Sequence, residues 1–315
     1  MTLPHPTTLT LIICTYNRVQ SLSETLRSLE GLDVDGLRGE IILVDNNSSD
    51  GTRRAIEDFL PRAPLPTRYL FEARQGLSHA RNAGVDAASG DVIVFSDDDV
   101  LFDRRWLREI VSAFAQEDVA AVGGKILPKW PVPPPDWLGP ELHSFLSLLD
   151  HGDKPVVLTE PVLWGANLAF RREVFRTIRF HGALGRIGDK LYNGEDSDLL
   201  LRLIARGERV LYWPRAIVHH NIPRQRLTKA YFRKWHWDAG SMAAHRMPRR
   251  VARSLLGIPY HFYRRTAQDI AAWSHRTLTR ERDAFLSELQ LVRTAGFAAT
   301  RMKSLLRRDM ERPAA

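Results

Sequence analysis

The stretch Asp91-Val-Ile-Val-Phe-Ser-Asp-Asp-Asp99 constrains the fold of this chain most strongly. Its apolar run, residues 92–95, is typical of a strand buried in a parallel sheet, and it leads into Asp97, Asp98 and Asp99. Three ionised carboxylates cannot all be buried and unpaired, because desolvation costs several kcal/mol per charge. Ligands bind at the carboxyl ends of strands in open α/β sheets, so a divalent cation carrying phosphate groups would balance this charge. A solvated acidic turn is the alternative for this stretch alone.

Strands and helices alternate around this stretch. Apolar runs predict strands at residues 9–14, 40–45, 69–71, 91–97 and 119–122, and helical spacing predicts helices at 21–29, 52–59, 76–88 and 105–116. This alternation predicts an α/β fold with a doubly wound, mostly parallel sheet and flanking helices. Further on, we expect a proline-rich loop or lid at 129–140, a strand at 162–170, a glycine-rich loop at 180–194, a helix at 195–205, short strands at 210–213 and 217–220, and helices beyond 227.

The charge of the chain is distributed unevenly. The net charge is +8, but residues 224–315 hold 20 basic and 7 acidic side chains, whereas residues 1–223 have a net charge of −5. We therefore predict a catalytic domain at 1–224 and a basic helical extension at 225–315. Arginines beside aromatic residues in the extension suit an anionic membrane surface. The alternatives are packing on the catalytic domain and nucleic-acid binding, which we do not expect because no recognition motif is present.

The cellular compartment is predicted from sequence features that are absent. The single cysteine, Cys14, excludes a disulfide framework and lies in an apolar run. No apolar stretch reaches the roughly 18 residues needed to span a bilayer, and no basic region followed by a long apolar one precedes the first strand. We expect a cytoplasmic protein, attached peripherally if the extension binds lipid.

Four further groups of residues are candidates for chemistry. Asp45 ends a predicted strand and can accept a nucleobase N–H or cap a helix, while Thr15 and Tyr16 follow the neighbouring strand. Arg81 can contact a diphosphate or neutralise the aspartates. The remaining candidates are an acidic pair, Glu195 and Asp196, for a general base or a helix N-terminus, and a histidine pair, His219 and His220, for a metal ligand or a surface position.

With these residues in place, the chain resembles family 2 glycosyltransferases, an inverting group with a GT-A fold. The resemblance runs in order through Ile12-Ile-Cys-Thr-Tyr-Asn-Arg18, Val44-Asp-Asn-Asn-Ser-Ser-Asp-Gly-Thr52, residues 76–84 with Ala80-Arg-Asn82, Ser96-Asp-Asp-Asp99, Gly165-Ala-Asn167 with Ala169-Phe-Arg171, Gly194-Glu-Asp-Ser-Asp-Leu199 and residues 214–220. It covers roughly residues 8–240. Two departures are Asn46, where many members carry a second acid, and Ser96, where an apolar residue is commoner.

The resemblance implies a role for each residue. Mn²⁺ or Mg²⁺ would be held by Asp97, Asp99 and His220, with His219 as the alternative to His220. The nucleotide sugar would contact Thr15, Tyr16, Arg18, Asp45, Asn46, Arg81, Asp97 and Asp98. Asp196, next to Glu195, would be the catalytic base, and Trp164, Gly165 and Asn167 would lie on the acceptor side.

The function implied is the inverting transfer of a sugar from a nucleotide-diphosphate sugar, with UDP as the expected nucleotide. The acceptor would be a hydroxyl of a glycan or a lipid-linked molecule, in bacterial-type polysaccharide or cell-surface glycan synthesis. Two alternatives stay open. One is a catalytically silent sugar-nucleotide-binding module. The other is an Asp-dependent phosphohydrolase, in which the acids would be expected after the first strand rather than the fourth.

Overall fold

The computed structural model of the protein describes residues 7–116, 118–182, 184–185, 194–247, 254–255, 258–279, 281 and 283–310. The strands are β1 (Thr8–Thr15), β2 (Arg38–Asp45), β3 (Thr67–Phe71), β4 (Val92–Asp97), β5 (Val100–Phe102), β6 (Val119–Lys129), β7 (Val156–Leu158), β8 (Leu168–Arg171), β9 (Arg209–Asn221), β10 (Ser254–Leu255) and β11 (Ile258–Pro259). The α-helices are α1 (Val19–Leu29), α2 (Thr52–Phe59), α3 (Leu77–Ala87), α4 (Trp106–Phe114), α5 (Glu195–Ile204), α6 (Lys229–Arg246), α7 (Tyr260–Leu278) and α8 (Ala284–Met310).

The described residues form two compact units. The first comprises residues within 7–131, 146–185 and 194–222, and the second comprises residues within 132–145 and 223–310. Part of the proline-rich segment that the sequence predicts as a loop or lid is therefore grouped with the C-terminal helices.

The first unit contains a mixed sheet with the strand order β3-β2-β1-β4-β8-β6-β9-β5, and β7 pairs with β9 at its side. Strands β1 to β4 pair in parallel, and so do β6 and β9. β8 is antiparallel to both β4 and β6, and β5 and β7 are antiparallel to β9. The predicted α/β class with a mostly parallel sheet and flanking helices is confirmed, with antiparallel strands added in its second half.

The parallel half of the sheet is built from runs of β-branched and aliphatic residues. Side chains of β1, β2 and β4 such as Ile12, Ile42 and Val94 are completely buried. Burial on both faces explains why these strands read as continuous apolar runs and not as an alternating pattern. The carboxyl ends of these strands lie at one edge of the sheet, and the predicted polar site residues lie at the same edge.

Three boundaries in the second half differ from the sequence prediction. β6 continues through two glycines to Lys129, and β9 is one strand, not two. Its pairing with β6 shifts register between Trp213 and Ile217, because Pro214 has no N–H to donate to the ladder and the three intervening residues form an irregularity. Of the predicted strand at 162–170, only residues 168–170 belong to a strand, β8, and a 3₁₀ turn, Gly165–Asn167, precedes it.

The second unit packs aromatic side chains between helices and the segment 132–145. Trp137 lies edge-on to Phe232 and Phe285, at ring-centroid distances of 5.5 and 5.1 Å. α6 and α8 approach closely at Gly240, where a Cβ atom would lie 2.0 Å from the carbonyl oxygen of Arg293. Among the described residues, no helix is long and apolar enough to cross a membrane. Within the glycine-rich segment 180–194, residues 183 and 186–193 lie outside the described residues.

Candidate active site

The predicted site residues gather at the carboxyl ends of the parallel strands. Thr15 at the end of β1 pairs in register with Asp45 at the end of β2, and Cys14 pairs with Asp97 at the end of β4. Because the strands run in parallel, residues separated by up to 83 positions become neighbours at this edge. The acidic stretch after β4 is at the centre of the arrangement.

Two of the three aspartates are buried and bonded to Arg18. The Arg18 guanidinium donates to Asp98 at 2.6 Å and to Asp99 at 2.7 Å, and the Thr15 hydroxyl donates to Asp98 at 2.7 Å. Burial raises the pKa of Asp98 to about 7, although Arg18 opposes the shift. The positive charge that the sequence requires beside these acids is therefore supplied in part by the loop after β1.

Asp99 also faces His220. The Nε2 atom of His220 lies 3.2 Å from Asp99 Oδ2, and Nδ1 lies 2.9 Å from the Leu146 carbonyl oxygen. A carbonyl oxygen can only accept, so Nδ1 carries a proton, and Nε2 of a neutral ring then presents a lone pair to the carboxylate. Two facing acceptors are favourable only with a proton or a metal cation between them. His219 pairs with Leu101 and Leu127, and its side chain points to the opposite face of β9.

These contacts test whether the residues fit a divalent cation. Asp99 and His220 are in contact, and the side chain of Asp97 is 35% exposed at the same strand end. Partial burial and the charges of Asp99 and Asp196 raise the pKa of Asp97, while Arg81 lowers it. Among the described residues, no three His, Cys, Asp or Glu side chains are already grouped as a metal site. The donor chemistry fits a hard or borderline cation, and Asp97 would have to join Asp99 and His220.

Arg81 connects the acidic strand end to α5. Its guanidinium donates to Glu195 at 3.1 Å, to Asp196 at 2.5 Å and to Asp97 at 3.5 Å. The Arg81 side chain is only 3% exposed. The structure therefore favours the prediction that Arg81 is a counter-ion. It binds three carboxylates, and two of them, those of Glu195 and Asp196, are more than 110 positions away in the sequence.

The surroundings of Arg81 are built to hold it. Its guanidinium lies over the rings of Phe95 and Phe180, at 5.9 and 5.4 Å from their centroids. A Cβ atom at Gly165 would lie 2.1 Å from Arg81 Nη2, so only glycine allows this approach without displacing the guanidinium. The hydroxyl of Ser96 donates to the Ala166 carbonyl oxygen and fixes the same turn to β4.

The two acids at the start of α5 are in different environments. Asp196 accepts from the Gly165 N–H at 2.8 Å and keeps a side chain that is 15% exposed. Glu195 is more deeply buried, and burial together with the neighbouring Asp196 charge raises the pKa of Glu195 to about 7. Among the described residues, nothing bonds to Glu195 Oε2. Asp196 is the better placed of the pair to meet a substrate.

The predicted nucleotide-binding residues lie in two joined loops. Asn17, in the left-handed conformation, accepts from the Ser49 N–H and its own N–H donates to Ser48 Oγ. Asp45 is buried and accepts hydrogen bonds from the Ser48 N–H and from the Tyr69 hydroxyl. Burial, together with this hydrogen bond to Asp45, raises the pKa of Tyr69 to about 12. Tyr16 is 40% exposed on the same loops.

Two predicted contact residues are used by the fold. The Asn46 amide donates to the carbonyl oxygens of Glu72 and Arg74 and accepts from the Gly76 N–H, so it holds the loop before α3. The Asn167 amide is fully buried, donates to the carbonyl oxygens of Lys125 and Ala216, and accepts from Trp106. The Asn167 side chain is thus used to hold the sheet, and its place on the acceptor side stays a prediction. Gly165 is buried beside Asp196, and Trp164 is half-buried next to it.

Sequence reasoning missed several supporting residues. Tyr69, Phe180 and the Leu146 carbonyl each contact a site residue, but their residue types are common in cores and turns and carry no pattern of their own. Ser96 was noticed only as a departure from the family pattern. Cys14 lies next to this region, and burial raises the pKa of its thiol to about 12, so the thiol is unreactive near neutral pH.

The geometry can now be compared with known proteins. The sequence profile described as Glycosyl transferase family 2 matches residues 10–179, just over half of the chain. The chain belongs to glycosyltransferase family 2. This family 2 glycosyltransferase is 29% identical over 232 residues to the succinoglycan biosynthesis protein ExoM of Rhizobium meliloti, covering 72% of this chain and 71% of ExoM. It is 27% identical over 217 residues to the glucosyl-dolichyl phosphate glucuronosyltransferase of Haloferax volcanii, covering 67% and 68%.

The fold of this family 2 glycosyltransferase is GT-A. Its structure is similar to that of the mannosyltransferase PcManGT from Pyrobaculum calidifontis, solved in complex with GDP-Man and Mn²⁺. The TM-score is 0.56 at 20% identity, and the match covers 99% of this chain and 77% of PcManGT. The resemblance predicted from the ordered motifs is confirmed, and so is the fold class. Glycosyl transfer is the activity of this family, and ExoM is named for succinoglycan biosynthesis.

Proposed function

We propose that the protein is an inverting glycosyltransferase that moves a sugar from a nucleotide-diphosphate sugar to a hydroxyl of a glycan or lipid-linked acceptor. UDP is the nucleotide we expect. The observation that carries the proposal is the contact of Arg81 with Asp97 after β4 and with Asp196 on α5. Through this contact one guanidinium bonds an acid of the expected cation site with Nη2 and an acid of the expected base site with Nη1.

Asp196 is the proposed general base. The Asp196 carboxylate would accept the proton of the acceptor hydroxyl as that oxygen forms a bond to the anomeric carbon. The bond between this carbon and the diphosphate oxygen breaks in the same step, and the nucleoside diphosphate leaves with the electron pair. Arg81 and the Gly165 N–H orient the carboxylate, which holds it ready for the proton. A covalent, retaining route would need a second carboxylate close to the first, on the side of the sugar opposite the leaving group.

The donor side is assigned to the strand ends. Asp97, Asp99 and His220 would hold Mn²⁺ or Mg²⁺, which supplies positive charge against the departing diphosphate when it is bound. Asp98 supports this group through Thr15 and Arg18. Asp45 would accept an N–H of the nucleobase and Tyr16 would stack on it, while Asn46 holds the loop beside them. PcManGT, which has this fold, binds GDP-Man and Mn²⁺, and this supports the choice of a nucleotide sugar and a divalent cation.

The acceptor side and the location of the reaction are also proposals. The Haloferax relative is named for a dolichyl-phosphate-linked acceptor, and ExoM for succinoglycan synthesis. We propose synthesis of a polysaccharide or cell-surface glycan on a lipid carrier at the cytoplasmic leaflet. We also propose a catalytic domain at 1–224 and a C-terminal extension at 225–315 that attaches peripherally to that leaflet.

A donor screen followed by an activity assay tests the function. UDP-, GDP- and dTDP-sugars with Mn²⁺ are compared by thermal shift, and the best donor is incubated with prenyl-phosphate-linked sugar acceptors. Asp196→Asn should lower kcat by roughly 10²–10⁴-fold and leave the donor-induced shift intact. Asp99→Ala should lose the metal-dependent part of the shift. Asp58→Asn, a change of an exposed carboxylate on α2, is the matched control and should behave as wild type.

The outcomes separate the alternatives. Donor binding by the wild type without turnover on any acceptor would favour the silent binding module. Release of inorganic phosphate without sugar transfer would favour the phosphohydrolase. Retained anomeric configuration in the product, read by NMR coupling constants, would contradict the inverting mechanism while leaving glycosyl transfer in place.

A further inference from the structure

One face of α7 in the second unit is apolar and exposed. α7 has no buried residue along its length. Its large exposed apolar side chains include Ile270, which is 48% exposed, and Leu278, which is 84% exposed. Exposed side chains of this size, contiguous on one element, mark a surface that meets an apolar partner.

These side chains share one face of the helix, which Ser274 interrupts before Leu278. At 100° per residue, the exposed positions fall within about 100° of the helix circumference. We call them the α7 stripe, which consists of Tyr260, Tyr263, Ala267, Ile270, Ala271 and Leu278. At 1.5 Å per residue the stripe extends for roughly 27 Å.

The opposite side of α7 is the side that packs within the unit. Phe262 stacks on Phe297 of α8 with ring centroids 4.4 Å apart, and Arg276 donates to Ser287 at 2.7 Å. Of the stripe residues, Tyr263 also donates its hydroxyl to the Leu255 carbonyl oxygen at 2.8 Å, whereas Ile270 and Leu278 remain exposed when these contacts are complete.

One edge of the stripe carries two exposed arginines, Arg264 and Arg265, together with the exposed His261 and His275. His275 Nδ1 lies 3.7 Å from a carboxylate oxygen of Glu281, just beyond the end of α7. The one acid of α7, Asp269, lies on the inward side. An apolar stripe with a basic border is the pattern of a helix that lies in the headgroup region of an anionic bilayer.

Phe285 of the extension is excluded from this role by the structure, whereas Trp237 on α6 is 41% exposed. Phe285 is buried against Trp137 and Phe232, and Lys229 lies 4.9 Å from its ring centroid. The interleaving of basic and aromatic residues in this part of the sequence therefore reflects packing at Phe285 and Phe262, whereas surface contact is left to the α7 stripe.

We propose that the α7 stripe docks on an anionic lipid bilayer, with its apolar residues at the acyl boundary and Arg264 and Arg265 among the headgroups. The proposal rests on the proposed function in one respect, because a lipid-linked acceptor places the reaction at a membrane. A nucleic-acid partner fits less well, because the exposed apolar side chains Ile270 and Leu278 have no apolar counterpart on a phosphate backbone, whereas they can enter the acyl boundary of a bilayer. Charge complementarity with Arg264 and Arg265 then favours an anionic bilayer over a neutral one.

Vesicle flotation of the full chain tests the proposal. Vesicles of phosphatidylcholine alone are compared with vesicles containing phosphatidylglycerol, at low and at high salt. The wild type should float with the anionic vesicles at low salt. Ile270→Ser/Leu278→Ser and Arg264→Gln/Arg265→Gln should each lower the bound fraction at least tenfold, and high salt should weaken binding of the wild type.

The controls keep the result specific. Val156→Ser/Val157→Ser removes two exposed apolar side chains, 40% and 49% exposed, from β7 in the first unit and should float as wild type. Turnover on a water-soluble acceptor analogue should be equal in all variants. A failure of glycosyl transfer would then appear as lost turnover, and a failure of docking as lost flotation with turnover unchanged. Unchanged flotation of both α7 variants would overturn the proposal. A wild type that does not bind anionic vesicles would also overturn the proposal. This holds whether the protein is found to dimerise through α7, as measured by light scattering, or to bind single-stranded DNA.

Discussion

Arg18 has two ionic contacts and yet remains accessible. Its side chain is 32% exposed, while its partners Asp98 and Asp99 are almost completely buried. The guanidinium bonds to the same Asp99 oxygen that faces His220. The residue therefore neutralises the acids in the protein alone, and it competes for an oxygen that the proposed metal site requires.

We expect Arg18→Gln to destabilise the protein in EDTA and to increase the thermal shift that saturating Mn²⁺ produces. Removal of the guanidinium leaves two buried carboxylates without their main cation, and the metal ion can then provide that charge. Differential scanning fluorimetry with and without Mn²⁺ measures both effects. Arg27→Gln on α1 is the control. Equal shifts for Arg18→Gln and the wild type would show that Arg18 does not compete with the metal.

Glu195 makes stability depend on pH. Its pKa is raised from 4.5 to about 7, first by burial and then by the Asp196 charge. Between these values the folded protein binds a proton that the unfolded chain has released. The free energy of unfolding therefore falls as the pH rises from about 4.5 to about 7, by up to roughly 1.4 kcal/mol per pH unit from this group.

We expect Glu195→Gln to make this decline shallower, because glutamine does not titrate, whereas Asp98, whose pKa burial also raises to about 7, keeps its own contribution. The midpoint of urea unfolding is measured from pH 5 to pH 8 for the wild type and the variant. Glu208→Gln, at an exposed position after α5, should keep the slope of the wild type. A slope that is as steep in Glu195→Gln as in the wild type would contradict the assignment of this titration to Glu195.

At the scale of elements, α6 and α8 cross at two glycines. A Cβ atom at Gly240 would lie 2.0 Å from the Arg293 carbonyl oxygen, and one at Gly296 would lie 2.4 Å from that of Trp237. Backbone atoms cannot move aside as a side-chain end can. The close packing of these helices therefore depends on the absence of side chains at the crossing.

Gly240→Leu should destabilise the second unit by about 1–3 kcal/mol or more, because the helices must separate to admit the side chain. Thermal unfolding followed by circular dichroism measures the loss. Ala230→Leu adds the same side chain at an exposed position of α6 and should change little. Equal unfolding temperatures for the two variants would refute the close crossing.

At the scale of the whole molecule, the boundary between units is not a single point in the sequence. Trp137 and Phe145 come before strands β7, β8 and β9 of the first unit in the sequence. Their rings nevertheless contact Phe232 of α6, at centroid distances of 5.5 and 6.5 Å. A cut near residue 224 separates these side chains from the helix that covers them. Deletion of the helices would expose large apolar surface on what remains.

We therefore expect a fragment of residues 1–224 to bind more of the dye ANS and to aggregate more readily than the full chain. Trp137→Ser/Phe145→Ser in the fragment should reduce both effects, since it removes the side chains left uncovered. Dye fluorescence and light scattering provide the measurements. A fragment that is monomeric and binds no more dye than the full chain would show that 132–145 does not depend on the C-terminal helices.

The sequence alone determined the alternation of strands and helices, the acidic strand end and the ordered motifs of the family. These features are local, because the hydrophobic period and the residues at strand ends are written in neighbouring positions. The sequence predicts both ends of α2 to the residue. It predicts two short strands in place of β9, because a proline such as Pro214 is typical of the end of a strand.

The tertiary structure decided which charges meet. Arg81 reaches Glu195 and Asp196 across more than 110 positions, and Arg18 reaches Asp98 across 80. It also assigned Asn167 to the packing of the sheet and the exposed apolar face to α7. Such pairings depend on which strand ends share an edge and which helix faces are covered, and no local pattern encodes either, because burial and charge compensation are properties of the assembled chain.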